Sequence, residues 1–324
     1  MFGRKAKPPP AAPTAPAAAP TEADTTRAHH DRFRDGIGAP SLRDLETLLM
    51  SASNLAGTYY PEARSEAGFA LYAMSPEAAA LPLAERIPPT EFRHYYGYKD
   101  GKWQDDLYLS SGKADVRNMK AILAEDGFDT MGKRILEFGC SAGRMLRHLE
   151  AEAQAGEVWG SDLHAAAIHW AQAHLSPPFQ FFTNTTQPHL PFEDRHFDLI
   201  FAGSVWTHIG ELGDAWLLEM RRLLKPGGRL YLTISDQDTL AEVARTAPAH
   251  PSNDHVAALD AETGMLGRDW TAFVTRTTPW LQRCVYRREA WLARVGAWMD
   301  VRIVRPGAYG WQTGILLAKP VEGA

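Results

Sequence analysis

Five short apolar runs, separated by amphipathic or polar stretches, follow one another between residues 134 and 234. These runs are the predicted strands: residues 134–138, 157–161, 179–182, 197–202 and 229–234. Helical spacing is clearest just before the last run, where apolar side chains form one stripe: Trp216, Leu217, Met220, Leu223 and Leu224. Strands that alternate with helices predict a parallel sheet with helices on both faces.

The end of the chain adds two strands of a different kind. A predicted helix at about 288–298 precedes "VRIVRPGAYGWQTGILLAK", which contains two apolar runs joined by a short glycine-bounded turn. Such a turn makes a hairpin, so the last strand runs antiparallel to its partner. The predicted fold class is therefore α/β: a Rossmann-like, seven-stranded, mostly parallel sheet with an antiparallel last strand.

The rest of the chain divides around this sheet. Residues 1–40 are rich in proline and alanine and predict a disordered tail. A helical segment is predicted over 41–132, with one helix starting at Ser41 and another over about 111–125. The sheet core is assigned to 133–235 and 287–320, and 236–286 to a loop-rich insertion after the fifth strand, with one strand near 272–277.

Charge and composition restrict the partners. The formal net charge of −5 provides no positive field for nucleic acid, so small molecules or proteins are the expected partners. Two cysteines are typical of a reducing compartment, and a cytoplasmic location is expected. No apolar run reaches the roughly 20 residues that span a bilayer, and six prolines among the first 20 residues disfavour a signal peptide. Nothing in these patterns indicates an oligomeric state.

The turn after the first predicted strand has the residues of a ligand site. Gly139 and Gly143 allow a tight turn with backbone N–H groups close to a ligand. The turn matches neither the GK[ST] end of a P-loop nor G-x-G-x-x-G, because Ser141 and Ala142 interrupt the pattern. An ATP or nicotinamide site is therefore disfavoured, although a nicotinamide-dependent reductase stays as an alternative.

Asp162 follows the second predicted strand. A carboxylate at that strand end accepts hydrogen bonds from both hydroxyls of a ribose in nucleotide-binding sheets. The alternative is that Asp162 caps the helix that follows it. The ribose interpretation predicts a nucleoside ligand.

Taken together, these motifs resemble class I methyltransferases that depend on S-adenosylmethionine. The family pattern E/D-x-G-x-G-x-G reads Glu137 to Gly143 here, with Ser141 in place of the middle glycine. "LPFEDRHFDLIFAGSVWTHI", "EMRRLLKPGGRLYLTI" and the final hairpin resemble the family's later landmarks. A serine at 141 keeps the turn if its φ stays negative.

The resemblance implies a cofactor, S-adenosylmethionine, and a role for each matching position. Glu137 would accept a hydrogen bond from the methionine amino group, and Asp162 would accept hydrogen bonds from the ribose hydroxyls. Asn184 would accept a hydrogen bond from the adenine amine. The other implied cofactor-binding residues are Gly139, Cys140, Ser141, Gly143, Arg144, Leu163, Thr185, Gly203 and Ser204. For Arg144, contact with the cofactor carboxylate and exposure on a helix stay open as alternatives.

The acceptor is the least constrained part of this hypothesis. A small polar metabolite such as a sugar is expected, with the helical segment as a lid and the insertion as a substrate cap. His208 is the candidate general base, or alternatively a histidine that bonds locally. No metal site is assigned, although His250, Asp254 and His255 cluster in sequence. A cofactor-binding module without catalysis is the alternative function.

Two further groups have both a functional and a structural interpretation. The aromatic group forms either a lid or a packing cluster: Tyr95, Tyr96, Tyr98, Trp103 and Tyr108. The arginine group either receives an anionic acceptor or forms a solvated face: Arg276, Arg283, Arg287 and Arg288.

Overall fold

The computed structural model describes residues 76–210, 212–248, 251–274 and 282–321. The predicted tail over 1–40 and the predicted helix at Ser41 lie outside the described residues.

The helices and strands of these ranges occur in a regular order. The helices are α1 (Pro76–Ala79), α2 (Asp105–Glu125), α3 (Glu150–Ala155), α4 (Ala165–Leu175), α5 (Gly213–Leu223), α6 (Gln237–Thr246), α7 (Pro251–Thr263) and α8 (Arg288–Val295). The strands are β1 (Tyr98–Lys99), β2 (Lys102–Trp103), β3 (Arg134–Phe138), β4 (Glu157–Asp162), β5 (Gln180–Thr183), β6 (Phe197–Ala202), β7 (Leu224–Asp236), β8 (Trp270–Val274), β9 (Gln282–Tyr286), β10 (Asp300–Tyr309) and β11 (Gln312–Ala318).

The central sheet has the order β10-β11-β7-β6-β3-β4-β5. Strand β11 is antiparallel to both β10 and β7, whereas β7, β6, β3, β4 and β5 pair in parallel. The predicted α/β, Rossmann-like, seven-stranded sheet with an antiparallel last strand is confirmed. Strands β3 and β6 are buried along nearly their whole length because both faces of the sheet are covered.

Alternate side chains of the middle strands enter two separate cores. On β3, Ile135 packs into one core and its neighbour Leu136 into the other, and both are fully buried. The first core includes apolar side chains of α2 and α4, and the second includes those of α5 and α8. Helices therefore cover both faces of the sheet, as the sequence predicts.

Two predicted boundaries shift by several residues. Helix α2 begins at Asp105 instead of near Ser111. Strand β7 begins at Leu224 instead of Arg229, with a register shift where it pairs with β6. These shifts leave the order of elements unchanged.

The prediction of a loop-rich region over 236–286 is wrong. That region contains α6, α7 and a ribbon in which β8 and β9 pair antiparallel. Strand β9 also pairs in parallel with the last residues of β7. The signal for α6 was present in the sequence: Asp236 caps the helix by accepting from Thr239 N, and the Thr239 hydroxyl accepts from Asp236 N.

The short pieces before α2 also differ from the predicted helices and loops. Strands β1 and β2 form a hairpin whose turn, Asp100–Gly101, has positive φ at both residues. An Asp-Gly pair is a strong signal for this turn. Within the described ranges, no helix is both long enough and apolar enough to cross a membrane.

Two adjacent leucines of α5 give a matched test of this packing. Leu217 is 1% exposed in the second core, and Leu218 is 47% exposed. We expect Leu217→Ala to lower the free energy of unfolding by about 2–5 kcal/mol because it leaves a cavity. Leu218→Ala should change it by less than about 0.5 kcal/mol. Urea unfolding measures both, and equal losses would contradict the assignment of faces.

Candidate functional site

The turn after β3 is fixed to the end of β4 by backbone hydrogen bonds. The N–H groups of Gly139 and Cys140 both donate to Ser161 O, at 2.8 and 2.9 Å. A Cβ at position 139 would lie 2.3 Å from Val205 Cγ2, so only glycine fits there at its φ of 80°. The turn therefore lies at the carboxyl edge of the sheet, between the ends of β4 and β6.

Ser141 adopts a conformation that the sequence does not predict. Its φ is +47°, so the condition of a negative φ is not met, and the serine occupies the left-handed region that glycine prefers. Two hydrogen bonds accompany this conformation. Ser141 N donates to Asp162 Oδ2 at 2.7 Å, and Ser141 Oγ donates to Phe92 O at 2.9 Å.

Asp162 is not the cap of the next helix. His164 occupies the N-cap position of α4, and its Nδ1 accepts from Ala167 N. The Asp162 carboxylate accepts from the backbone of Ser141 through Oδ2 and of His164 through Oδ1. Each oxygen has further acceptor capacity for a ligand hydroxyl. Leu163, between Asp162 and His164, is partly buried.

Glu137 is a buried carboxyl group at the end of β3. Burial raises its pKa to about 8, although the Arg144 guanidinium acts in the opposite direction. In the described part of the chain, its Oε2 atom has no hydrogen-bond partner. A buried acceptor of this kind matches a ligand ammonium group.

Asn184 provides a second acceptor of the same kind, after β5. Its Nδ2 donates to Thr185 O at 2.9 Å, while Thr185 Oγ1 accepts from Gln187 N. The side chain is buried, and its Oδ1 accepts no hydrogen bond from the described residues. A ligand amine fits this oxygen.

Arg144 is buried, which excludes the solvent-exposed alternative. Its guanidinium pairs with Asp115 at 2.8 Å, donates to Tyr309 Oη at 2.5 Å, and lies 3.8 Å from the centre of the Tyr96 ring. None of these three partners is predicted from the sequence, because each comes from a distant stretch of chain. Contact of Arg144 with the cofactor carboxylate stays a prediction.

The loop after β6 contacts the terminal hairpin. A Cβ at Gly203 would lie 2.8 Å from Tyr309 Cε2, so the tyrosine ring occupies the space that a side chain would need. Ser204 has a φ of 61°, donates through N to Thr233 Oγ1 at 2.7 Å, and accepts from Gln312 Nε2 at 2.8 Å. Tyr309, Thr233 and Gln312 are site residues that the sequence analysis missed.

The predicted base, His208, lies in the turn after β6 with an exposed side chain. Its N–H donates to Val205 O at 2.8 Å. Of the other candidates, Asp254 is exposed on α7, while His250 and the side chain of His255 lie outside the described residues. No three metal-ligating side chains of the described residues come together.

The aromatic group separates into two sets. Tyr108 is a buried packing residue whose ring lies 5.5 Å from the Arg93 guanidinium and 5.4 Å from that of Arg147. Tyr95 stacks on Trp103 at 6.1 Å between ring centres and is 72% exposed. The packing interpretation holds for Tyr108, and the lid interpretation for the others stays a prediction.

The arginine group does not form one anion site among the described residues. Arg288 pairs with Asp236 at 3.2 Å and with Asp238, so its charge is already compensated. Arg287 is exposed. Arg276 and the side chain of Arg283 lie outside the described residues.

The comparison with known families agrees with this geometry. Residues 136–232 match the family described as a methyltransferase domain. This stretch is a class I methyltransferase domain. Methyltransferases of this class take S-adenosylmethionine as the methyl donor, and the match runs from β3 into β7.

Individual relatives are distant. The chain is 32% identical over 116 residues to phthiotriol/phenolphthiotriol dimycocerosates methyltransferase 1 of Mycobacterium ulcerans (strain Agy99), covering 35% of this chain and 41% of that one. It is 31% identical over 106 residues to fatty-acid O-methyltransferase of Mycolicibacterium smegmatis, covering 32% and 38%. The chain thus spans about two fifths of the length of these relatives.

Among solved structures, magnesium protoporphyrin IX methyltransferase from Synechocystis PCC 6803 superposes with a TM-score of 0.45 at 17% identity. The superposition covers 71% of this chain and 99% of that one.

The raised pKa of the buried Glu137 carboxyl group can be tested. A folded-state pKa near 8, above the ordinary value of 4.5, means that the folded protein holds a proton that the unfolded chain has released between these pH values. As the pH rises from 5 to 8, the free energy of unfolding of the wild type should therefore fall. Its slope should be steeper than that of Glu137→Gln by about 1.4 kcal/mol per pH unit. Chemical denaturation at several pH values measures the two slopes.

The control for this test is Glu193→Gln, whose carboxylate is 80% exposed. This variant should keep the wild-type slope. Parallel curves for the wild type and Glu137→Gln would show that the Glu137 carboxyl group titrates normally.

Proposed function

We propose that the protein transfers a methyl group from S-adenosylmethionine to a small-molecule acceptor. The observation that supports this most strongly is the order of three acceptor groups along the sheet edge. Glu137 lies near the end of β3, Asp162 ends β4 and Asn184 follows β5. These strands are neighbours in the sheet at about 4.8 Å spacing. The cofactor has its amino group, ribose and adenine in the same linear order.

The chemistry of each group fits its position. No donor among the described residues reaches the buried atoms Glu137 Oε2 and Asn184 Oδ1. A ligand that donates at both ends therefore satisfies two groups that are otherwise costly to bury. Asp162 lies between them with acceptor capacity left on both oxygens. Gly139 and Gly143, with φ values of 80° and 69°, allow the tight turn that lies beside these groups.

When bound, S-adenosylmethionine supplies an electrophilic methyl group on a positively charged sulfur. The residues of the chain then have to hold an acceptor atom in line with that methyl group, which provides much of the rate. Gly203 and Ser204 line the methionine end in this proposal. The Ser204–Gln312 hydrogen bond fixes the Ser204 hydroxyl beside it.

The acceptor we propose is a small polar metabolite such as a sugar or another carbohydrate precursor. Polar side chains on the β6 side of the edge support it: Ser204, Thr233 and Gln312 are linked by hydrogen bonds. A lipid acyl group is the second candidate. Tyr95 and Trp103 form an exposed aromatic stack before α2, and one relative is named as a fatty-acid O-methyltransferase.

We also propose that the protein works in the cytoplasm. Cys140 and Cys284 are both free and buried. Neither forms a disulfide, in keeping with a reducing compartment.

The decisive experiment supplies methyl-labelled S-adenosylmethionine together with a polar metabolite extract or a lipid extract. We expect a labelled product, heavier by one methylene than its precursor, from the polar extract. A labelled lipid would favour the second acceptor class. Cofactor binding without any labelled product would favour a regulatory or scaffold module, and binding of NADPH without binding of S-adenosylmethionine would favour a reductase.

The ribose assignment predicts the effect of one substitution. Asp162→Ala should weaken S-adenosylmethionine binding by roughly 1.5–3 kcal/mol, the range for a hydrogen bond to a charged group. Isothermal titration calorimetry measures this loss. The matched control is Asp129→Ala. Asp129 Oδ1 accepts a hydrogen bond from Met131 N, two residues further along the chain, as Asp162 Oδ1 accepts one from His164 N. Unchanged affinity in Asp162→Ala would reject the ribose assignment.

The role proposed for His208 is also testable. If the acceptor is a hydroxyl, His208→Ala should lower kcat by about 10²-fold or more, because general-base catalysis is lost, while cofactor affinity stays the same. His189→Ala is the control, since that side chain is 77% exposed. A wild-type rate in His208→Ala would remove this histidine from the reaction.

A further inference from the structure

Residues 92–96 cross the carboxyl edge of the sheet, and we refer to them as the strap. At one end, the Phe92 ring lies 5.3 Å from the His164 ring, at the start of α4. At the other end, Tyr96 Oη lies 2.7 Å from Tyr309 Oη, in the terminal hairpin. The strap therefore runs past the positions that the proposed function assigns to the ribose and to the methionine end.

The middle of the strap has an unfavourable backbone conformation. His94 and Tyr95 have φ values of 47° and 64°, which cost about 1 kcal/mol or more for residues with a side chain. Such a conformation persists only where surrounding contacts hold it. The contacts at Phe92 and Tyr96 provide that restraint at both ends.

One of these contacts comes from the cofactor turn itself. Ser141 Oγ donates to Phe92 O at 2.9 Å, while Ser141 N donates to the Asp162 carboxylate at 2.7 Å. A glycine, which the family pattern has here, could make the second bond but not the first. A single residue thus joins the strap, the turn and the predicted ribose acceptor.

The cost of this arrangement is visible at Ser141. Its φ of +47° is the conformation that glycine adopts freely, so the serine carries strain that a glycine would not. The hydroxyl is the feature that distinguishes the two residues. Its bond to Phe92 O offers a physical reason for a serine at this position.

We propose that Ser141 is a positioning residue whose hydroxyl holds the strap closed over the cofactor edge and slows cofactor exchange. This inference rests on the proposed function, because it takes the edge to be the cofactor site. This role differs from general packing because two opposite effects on stability meet at Ser141. Its backbone strain destabilises the fold, whereas its hydroxyl hydrogen bond stabilises it.

Two substitutions separate the strain from the bond. Ser141→Ala removes the hydroxyl but keeps a side chain, and therefore the strain, in the left-handed conformation. Ser141→Gly removes both the hydroxyl and the strain. We expect both variants to release S-adenosylhomocysteine about 5- to 10-fold faster than the wild type, the effect of one lost hydrogen bond. The glycine variant should unfold at a higher temperature than the alanine variant.

The experiment uses the full chain and two readouts. Stopped-flow displacement measures the release rate of S-adenosylhomocysteine, and hydrogen–deuterium exchange without cofactor measures opening of the strap. Exchange in residues 92–96 should rise in both variants. Ser110→Ala is the control, because Ser110 Oγ donates to Leu107 O within α2 and contacts neither the strap nor the turn through that bond.

The outcomes distinguish this inference from the proposed function. Wild-type protein that fails to bind S-adenosylhomocysteine would overturn the proposed function and, with it, the role of Ser141 in cofactor exchange. Binding with an unchanged release rate and unchanged exchange in the strap would overturn the role of Ser141 alone. Release rates that follow unfolding temperature, with alanine fast and glycine normal, would also overturn it, because strain rather than the hydroxyl would then control exchange.

Discussion

The hydrogen bonds between the turn after β3 and the end of β4 determine the geometry of the whole candidate site. Gly139 and Cys140 donate to Ser161 O, and Ser141 donates to the Asp162 carboxylate. These bonds fix where the turn lies between neighbouring strands. Together with the parallel pairing of β3 and β4, they place Glu137 and Asp162 at the same edge of the sheet.

Buried charge is the second constraint on this edge. Arg144 is compensated by Asp115, while Arg147 is fully buried and donates to the carbonyl oxygens of Ala142, Gly143 and Arg86. Burial raises the pKa of Glu137 despite these guanidinium groups. A cationic amine beside Glu137 would lower that pKa again and favour the ionised carboxylate. A ligand amine that occupied this position would therefore bind with release of the Glu137 proton.

Much of the fold follows from local patterns in the sequence. Strands β3 and β6 match the predicted ranges, and the apolar stripe of α5 matches the buried face of that helix. The carboxyl edge then follows from topology, because parallel strands bring their ends together. Glu137, Asp162 and Asn184 could be placed at that edge from sequence for the same reason.

The features that escaped prediction depend on tertiary contacts. The positive φ of Ser141 follows from its bonds to Asp162 and Phe92, which lie far from it in sequence. Arg144 resembles a surface residue until Asp115 and Tyr309 are placed beside it. By contrast, the cap of α6 at Asp236 and the turn at Asp100–Gly101 had local signals, so these two elements were predictable.

The direction of the terminal hairpin has a consequence for how the site can change over evolution. Strand β10 runs parallel to β7, so its last residue, Tyr309, reaches the edge where Gly203 lies, and Gln312 returns from a turn of only two residues. The groups beside Ser204 thus come from a stretch of chain remote from Glu137, Asp162 and Asn184. Mutations in the hairpin can remodel one half of the edge while the other half keeps its sequence, so the two halves are free to diverge at different rates.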